Sequence, residues 1–205
     1  MNKRAMEHLK ADPVMARVID RVGHVTLRAR RLSPFQSLVQ AIIHQQLSGK
    51  AAGTILKRFH ALFDDEGFPL PAAVAAVDAD TLRTAGLSRA KVSYVQAVAR
   101  HALDGSIPSL EACRQLSDTE IVERLTAIKG VGRWTAEMFL IFNLGRPDVL
   151  PAHDLGVRRG YQIAHGKREL PEPEQLQQAG VKWAPHRTTA ALYFWRAADS
   201  MKAGD

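Results

Sequence analysis

The stretch LTAIKGVGRWTAEMFL, Leu125–Leu140, decides how this chain is read. Apolar residues at helical spacing flank a Gly130-Val131-Gly132 turn, so two short helices are expected on either side of a tight hairpin. Glycines at 130 and 132 suit a turn that needs positive φ and keeps side chains away from a ligand. The helix beginning near Trp134 then aims its first N–H groups, and the positive end of its dipole, at an anion. Ile128 and Val131 are placed to lock the hairpin against its helices, while Lys129 and Arg133 add positive charge. Such a hairpin can grip a phosphate, a contact that positions a protein on a nucleic-acid backbone without reading its sequence. The plainer alternative is an ordinary helix–turn–helix connection with glycines at a C-cap. The embedding L-x-x-I-x-G-V-G-x-x-T-A, apolar on both sides, favours the phosphate grip.

Further along, VLPAHDLGVRRG (Val149–Gly160) places a carboxylate, Asp154, at the start of another expected helix. An N-cap aspartate satisfies helix N–H groups, and the same N-terminus keeps it ionised and fixed, so capping and chemistry are compatible. His153 beside it can titrate near neutral pH, either as a polar residue shaping the site or with a direct role. The break at Gly145-Arg146-Pro147 separates hairpin from aspartate. A site in a cleft between two lobes follows: residues 34–148 as a central lobe, and 1–33 with 149–205 as a second.

Helical periodicity dominates the rest, giving an all-α class. Asp12-Pro13 opens a helix with Val14, Val18, Ile19 and Val22 on one stripe, ending at Gly23. Ser33-Pro34 opens another with Phe35, Leu38, Val39, Ile42 and Ile43 inward. Ser48 caps a third, facing Ala52, Ile55, Leu56 and Phe59 to the core, before the break FDDEGFPLP. Short helices follow at 72–76 and 78–85, then a long one from Ser88 to Leu103. Ser117 with Glu120 is a capping box leading into the hairpin. Residues 134–143 and 188–201 complete the helices, and 25–32 can be strand or linker. SGKAAG lacks the spacing and preceding strand of a Walker phosphate loop.

The bulk properties narrow the class. At 205 residues, with 46% hydrophobic and 24% charged residues, the chain can bury a good core. A net charge of +7 suits a polyanionic partner. Cys113 is the only cysteine, so no disulfide, four-Cys zinc site or Cys-ligated iron–sulfur cluster can be built. No apolar run approaches the roughly 20 residues needed to span a bilayer, and the charged N-terminus lacks a signal-peptide core. No membrane association, and a cytoplasmic location with nucleoid association through DNA, are expected.

The segments PFQSLVQAIIHQQLSGKAA (Pro34–Ala52), Leu125–Phe139, DVLPAHDLGVRRG (Asp148–Gly160) and WAPHRTTAALYFW (Trp183–Trp195) together resemble the helix-hairpin-helix (HhH-GPD) DNA glycosylase superfamily. Within it they are similar to the 3-methyladenine DNA glycosylase II (AlkA-like) group. The resemblance implies a two-lobed helical fold that flips a damaged base of double-stranded DNA into the interlobe cleft. It also implies a monomer that needs no cofactor for catalysis. A structural Na+ or K+ is implied at the hairpin, held by the backbone carbonyls of Thr126, Ile128 and Val131 and bridging to a phosphate.

By the same resemblance, Asp154 is the catalytic aspartate. A desolvated carboxylate stabilises the positive charge that builds on the sugar as a glycosidic bond breaks, and can orient the attacking water. Bifunctional relatives carry a nucleophilic lysine two residues after the second hairpin glycine; Trp134 stands there, so base hydrolysis without strand cleavage is implied. Trp134 and Trp195 match pocket aromatics that stack on cationic N-alkylated purines. Trp195 is equally readable as core packing beside Tyr193 and Phe194. Met138 and Leu155 stand where larger aromatics are usual, a roomier cleft that either favours 3-methyladenine and similar bases or admits other lesions such as ethenoadenine. Gln45, Gln46 and Ser48 match the minor-groove face, with Gln46 as the plug filling the gap left by the flipped base. The plainer reading is a helix-ending Gln pair capped by Ser48. Two further alternatives are a glycosylase for deaminated or oxidised bases, and a non-catalytic damaged-DNA binding module.

Overall fold

The computed structural model describes residues 3–63 and 67–200, and among them every regular element is helical. In chain order these are α1 (Lys3–Lys10), α2 (Pro13–Val22), α3 (Pro34–His44), α4 (Gly49–His60), α5 (Pro71–Ala76), α6 (Ala79–Thr84) and α7 (Arg89–Leu103). Then follow α8 (Leu110–Gln115), α9 (Asp118–Thr126), α10 (Arg133–Met138), a π-helical turn (Phe139–Leu144), α11 (Leu155–Ala164), α12 (Pro173–Ala179), a 3₁₀ turn (Gly180–Trp183) and α13 (Arg187–Ser200). No helix among the described residues is long and apolar enough to cross a membrane.

The chain divides into two compact units: Arg30–Phe139, and the residues up to Ala29 together with those from Leu140 on. The sequence pattern alone places the divisions at 34–148 and at 1–33 with 149–205. Residues 140–148 instead fall to the second unit and 30–33 to the first. Around residues 146–149 the hydrogen bonds run to α13, where Thr188 Oγ1 donates to the Arg146 carbonyl at 2.7 Å and accepts from Val149 N–H at 2.9 Å.

In the Arg30–Phe139 unit, α7 packs against α3, α5 and α6. The α3 stripe reads as the periodicity requires, with Phe35, Leu38, Val39, Ile42 and Ile43 all buried. Val92, Val95 and Val98 meet it from α7 with the same helical spacing. Ser33, Ser48 and Ser88 cap their helices through Oγ. At α9 both halves of the capping box form: Glu120 N–H donates to Ser117 Oγ, and Ser117 N–H to Glu120 Oε2.

In the other unit, α11 lies against α13 so closely that a Cβ on Gly160 would fall 1.8 Å from the Phe194 carbonyl oxygen. The core there gathers Leu9, Met15, Val18, Ile19, Val157, Trp183, Tyr193 and Phe194. Asp12 stitches it together: Oδ1 caps α2 at Val14 N–H, while Oδ2 accepts from Trp183 Nε1 at 3.0 Å and Lys182 Nζ at 2.8 Å. Burial alone would raise the Asp12 pKa, but the hydrogen bonds from Lys182, Trp183 and Val14 outweigh it and hold it below the usual value.

Several elements depart from the sequence pattern. The short helices α1, α8 and α12 carry too few turns to announce themselves by periodicity and stand on tertiary packing. In α2 it is Met15, not Val14, that is buried with Val18 and Ile19. Residues 25–32 form no strand, and only Val25 among them is buried. The helix after the hairpin does not run as one α-helix to Asn143 but changes at Phe139 to π geometry, a widening that re-aims the side chains beyond it. Residues 64–66 of the FDDEGFPLP break, and Met201 of the expected last helix, lie outside the described residues.

Gly160→Ala is expected to lower unfolding stability by about 3 kcal/mol, because backbone rather than a flexible side chain must give way. Urea denaturation measures it; a loss well under ~1 kcal/mol would contradict so close a helix contact.

Candidate functional site

The hairpin is built on a four-residue turn in which Val131 N–H donates to the Ile128 carbonyl at 3.0 Å. Gly130 holds the third position with φ +90°, the left-handed value a type II turn demands there. It has a second reason to be glycine: a Cβ would sit 2.1 Å from Cγ of Tyr94 on α7. Gly132 differs from expectation. Its φ of −84° is open to any residue, and a Cβ added there would meet no protein atom within 4 Å. As the cap of α10, its bare backbone is approachable from outside.

Ile128 and Val131 are buried as expected, and Lys129 is exposed. Arg133 is committed elsewhere: its Nε donates to Oε1 of Glu137 one turn on, at 3.0 Å, compensating a carboxylate only 4% exposed. A buried carboxylate requires such a partner, so the charge Arg133 brings to the hairpin is shared.

The loop between α3 and α4 faces the hairpin. Gln45 Nε2 donates to the Gly130 carbonyl at 3.1 Å and lies 3.4 Å from Thr135 Oγ1. Gln45 is therefore a tether rather than an exposed reader of DNA. Gln46 is exposed and has φ +55°, a left-handed conformation uncommon for a residue with a Cβ. Leu47, not singled out from sequence, is 38% exposed beside it; a large apolar residue in a polar loop was the available signal. Ser48 serves as the α4 cap. Lys91 Nζ donates to the carbonyls of Ile43 and Gln45, both at 2.8 Å.

Gln45, Gln46, Lys91, Tyr94 and residues 126–132 line one cavity of about 640 Å³. Thr126, Ile128 and Val131 all contribute to it. Thr126 ends α9, where helix carbonyls lack further intrahelical donors, and the Ile128 carbonyl keeps a second lone pair beyond its turn bond. Neutral carbonyl oxygens suit a hard cation, so the donor set is compatible with a monovalent ion. The Gly130 carbonyl already accepts from Gln45.

In the other unit, Asp154 is the N-cap of α11, and its Oδ1 accepts two hydrogen bonds. Val157 N–H donates at 2.9 Å, and the Trp195 indole N–H, from α13, donates at 2.8 Å. Gly156 makes the second possible: a Cβ there would lie 2.8 Å from Trp195 Cδ1 and 3.1 Å from Asp154 Oδ1. Phe142, delivered by the π-helical turn, packs against Trp195 with the rings tilted by 32° and their centroids 5.6 Å apart. Trp195 is thus half-buried and fastened to the aspartate, an arrangement that neither plain core packing nor an open stacking platform describes.

The loop leading to Asp154 is pinned upstream as well. Arg187 Nε and Nη2 form a fork on Asp148 Oδ1 and Oδ2, each at 2.8 Å, which holds the Asp148 carboxyl below its usual pKa despite burial. These partners are 39 residues apart, and no local pattern signals their pairing. His153 and Leu155 are exposed, Leu155 at 65%. Trp134 is 41% exposed on α10, and Met138 is half-buried at its end.

Residues 39–186 match the HhH-GPD superfamily base excision DNA repair protein family, and the chain belongs to it. It is similar to DNA-3-methyladenine glycosylase 1 of Schizosaccharomyces pombe, 40% identical over 163 residues, covering 80% of this chain and 72% of that protein. Two solved structures superpose with TM-scores of 0.86 at 36% identity. One is the S. pombe 3-methyladenine DNA glycosylase in complex with abasic DNA, with 95% of this chain and 96% of that one covered. The other is a DNA-3-methyladenine glycosidase from Bacillus halodurans, with 97% and 90% covered.

Gly156→Ala is expected to push Trp195 off Asp154 while leaving Trp183 on Asp12. The indole N–H resonances in a proton NMR spectrum report both; an unmoved Trp195 signal would contradict the packing described.

Proposed function

We propose that the protein is a monofunctional DNA glycosylase of base excision repair that removes alkylated purines, the 3-methyladenine and 7-methylguanine class, from double-stranded DNA. The observation that carries this reading is Asp154, a carboxylate oriented by Val157 N–H and the Trp195 indole at a helix N-terminus. An N-alkylated purine is already cationic, so it departs with the electron pair of its C1′–N bond and needs no proton donor. The fixed carboxylate stabilises the oxocarbenium-like sugar in that transition state. Water then forms the new C1′–O bond and releases a proton, leaving an abasic site. Trp134 occupies the place of the lyase lysine and has no nucleophilic amine, so no Schiff base forms.

The remaining roles belong to the same reading. Gly132 and its neighbours present backbone to a phosphate, with Lys129 adding charge. The carbonyls of Thr126, Ile128 and Val131 would hold a Na+ or K+, which supplies positive charge against that phosphate. Gln46 fills the gap left by a flipped base. Trp134 offers an exposed ring face to a cationic base. The protein acts as a monomer on damaged duplex DNA. The exposed Leu155 and half-buried Met138, in place of larger aromatics, suit small cationic bases such as 3-methyladenine; a neutral lesion such as ethenoadenine would in addition need a proton donor to leave.

Asp154→Asn removes the charge with little change of shape. It is expected to keep affinity for abasic DNA within about threefold while base release falls by about 100-fold or more, the scale of losing a preorganised electrostatic group. Single-turnover release assays with binding isotherms measure both. Base release near the wild-type rate would overturn the role given to Asp154.

A further inference from the structure

We infer that Lys91, on α7, is a positioning residue for base flipping: its ammonium fastens the backbone of the loop that presents Gln46, and Gln45 joins that loop to the phosphate-gripping hairpin. The inference rests on the glycosylase reading above and deepens it.

The backbone at Gln46 is unfavourable on its own. Gln46 stands at φ +55° although its side chain disfavours that region, and nothing in its own chemistry selects it. A conformation of this kind persists where the surroundings over-determine it, and such positions cluster at functional sites. Here the surroundings are identifiable. Helix α3 ends at His44, so its last carbonyls have no intrahelical donors. Lys91 Nζ reaches the Ile43 carbonyl inside the helix and the Gln45 carbonyl just past its end, both at 2.8 Å. A cation at a helix C-terminus is favourable, and one donor group bridging the helix and the following residue fixes the direction in which Gln46 leaves. Burial desolvates the ammonium and holds the Lys91 pKa below its ordinary value.

A separate set of contacts ties the same helix to the hairpin. Tyr94 lies one turn after Lys91, and Gly130 sits on its ring with no room for a methyl group. Gln45 closes the triangle by donating to the Gly130 carbonyl. One face of α7 therefore supports both the hairpin and the Gln46 loop. A plug must enter the duplex at a set distance from the gripped phosphate, and a loop free to rock would lose that register. Lys91 touches neither base nor sugar in this arrangement; it acts through Gln46.

The test separates flipping from general integrity. Excision is measured on two duplexes, one with a single 7-methylguanine paired to cytosine, the other with the same base in a one-nucleotide bulge, where little unpairing is required. Lys91→Met is expected to lose about tenfold or more in kcat/KM on the paired substrate, the scale of a charged hydrogen bond removed. On the bulge it should stay within about threefold of wild type by the same measure, since plugging matters little there. Lys91→Arg, still able to donate to both carbonyls, should recover most of the paired-substrate rate. Gln45→Met, which leaves Lys91 in place, should show the same context-selective loss. Equal losses on both duplexes for the two Met variants, or no loss on either, would overturn the inference. If wild type releases base from neither duplex, the glycosylase reading itself fails and takes the inference with it.

Discussion

One oxygen atom organises the Asp154 site. Asp154 Oδ1 accepts from Val157 N–H and from the Trp195 indole N–H, so its direction is set from two elements, its own helix α11 and the packed helix α13. Two glycines of α11 keep that arrangement possible: Gly160 lets α13 approach, and Gly156 leaves the space the indole crosses. The chain entering the site is held by the same helix, through the Arg187 fork on Asp148 and the Thr188 bonds to residues 146 and 149. Arg187 and Trp195 stand eight residues apart, about 12 Å along α13. That helix thus stakes the loop at both ends. A carboxylate held this way needs no reorganisation when charge develops nearby, which is the condition for effective electrostatic catalysis.

The Arg30–Phe139 unit repeats the logic with α7 as the common support. Tyr94 carries the hairpin, Lys91 carries the loop after α3, and Gln45 links the two. Both units place their candidate site segments in loops between helices and fix them with a few bonds from one long helix. Loops carry chemistry most reliably when a rigid scaffold positions them. The strain at Gln46, and the Arg133–Glu137 pair beside the hairpin, are local features of that scaffold.

Much of this was legible in the sequence, for identifiable reasons. The stripe of α3, the extent of α7, the serine caps and the capping box are local, and local signals survive in a one-dimensional reading. Asp154 was legible as the cap of α11, because an N-cap is a local signal. Other features were not, because they depend on pairs far apart in the chain. Asp148 with Arg187, Lys91 with the end of α3, and Trp195 with Asp154 join residues 39 to 48 positions apart, where spacing carries no information. Gly132 was legible as glycine but not for its reason: the turn needs left-handed geometry at Gly130 alone. The π-helical turn at Phe139 left no periodic mark, yet it delivers Phe142 to Trp195.

The most direct test is to incubate the wild-type protein with methylated duplex DNA, quantify released purines, and score strand breaks before and after alkali. Free 3-methyladenine and 7-methylguanine are expected, with breaks that appear only after alkali. Breaks before alkali would contradict the water-based reaction. Tight binding to the DNA with no base released would contradict the catalytic role of the Asp154 site.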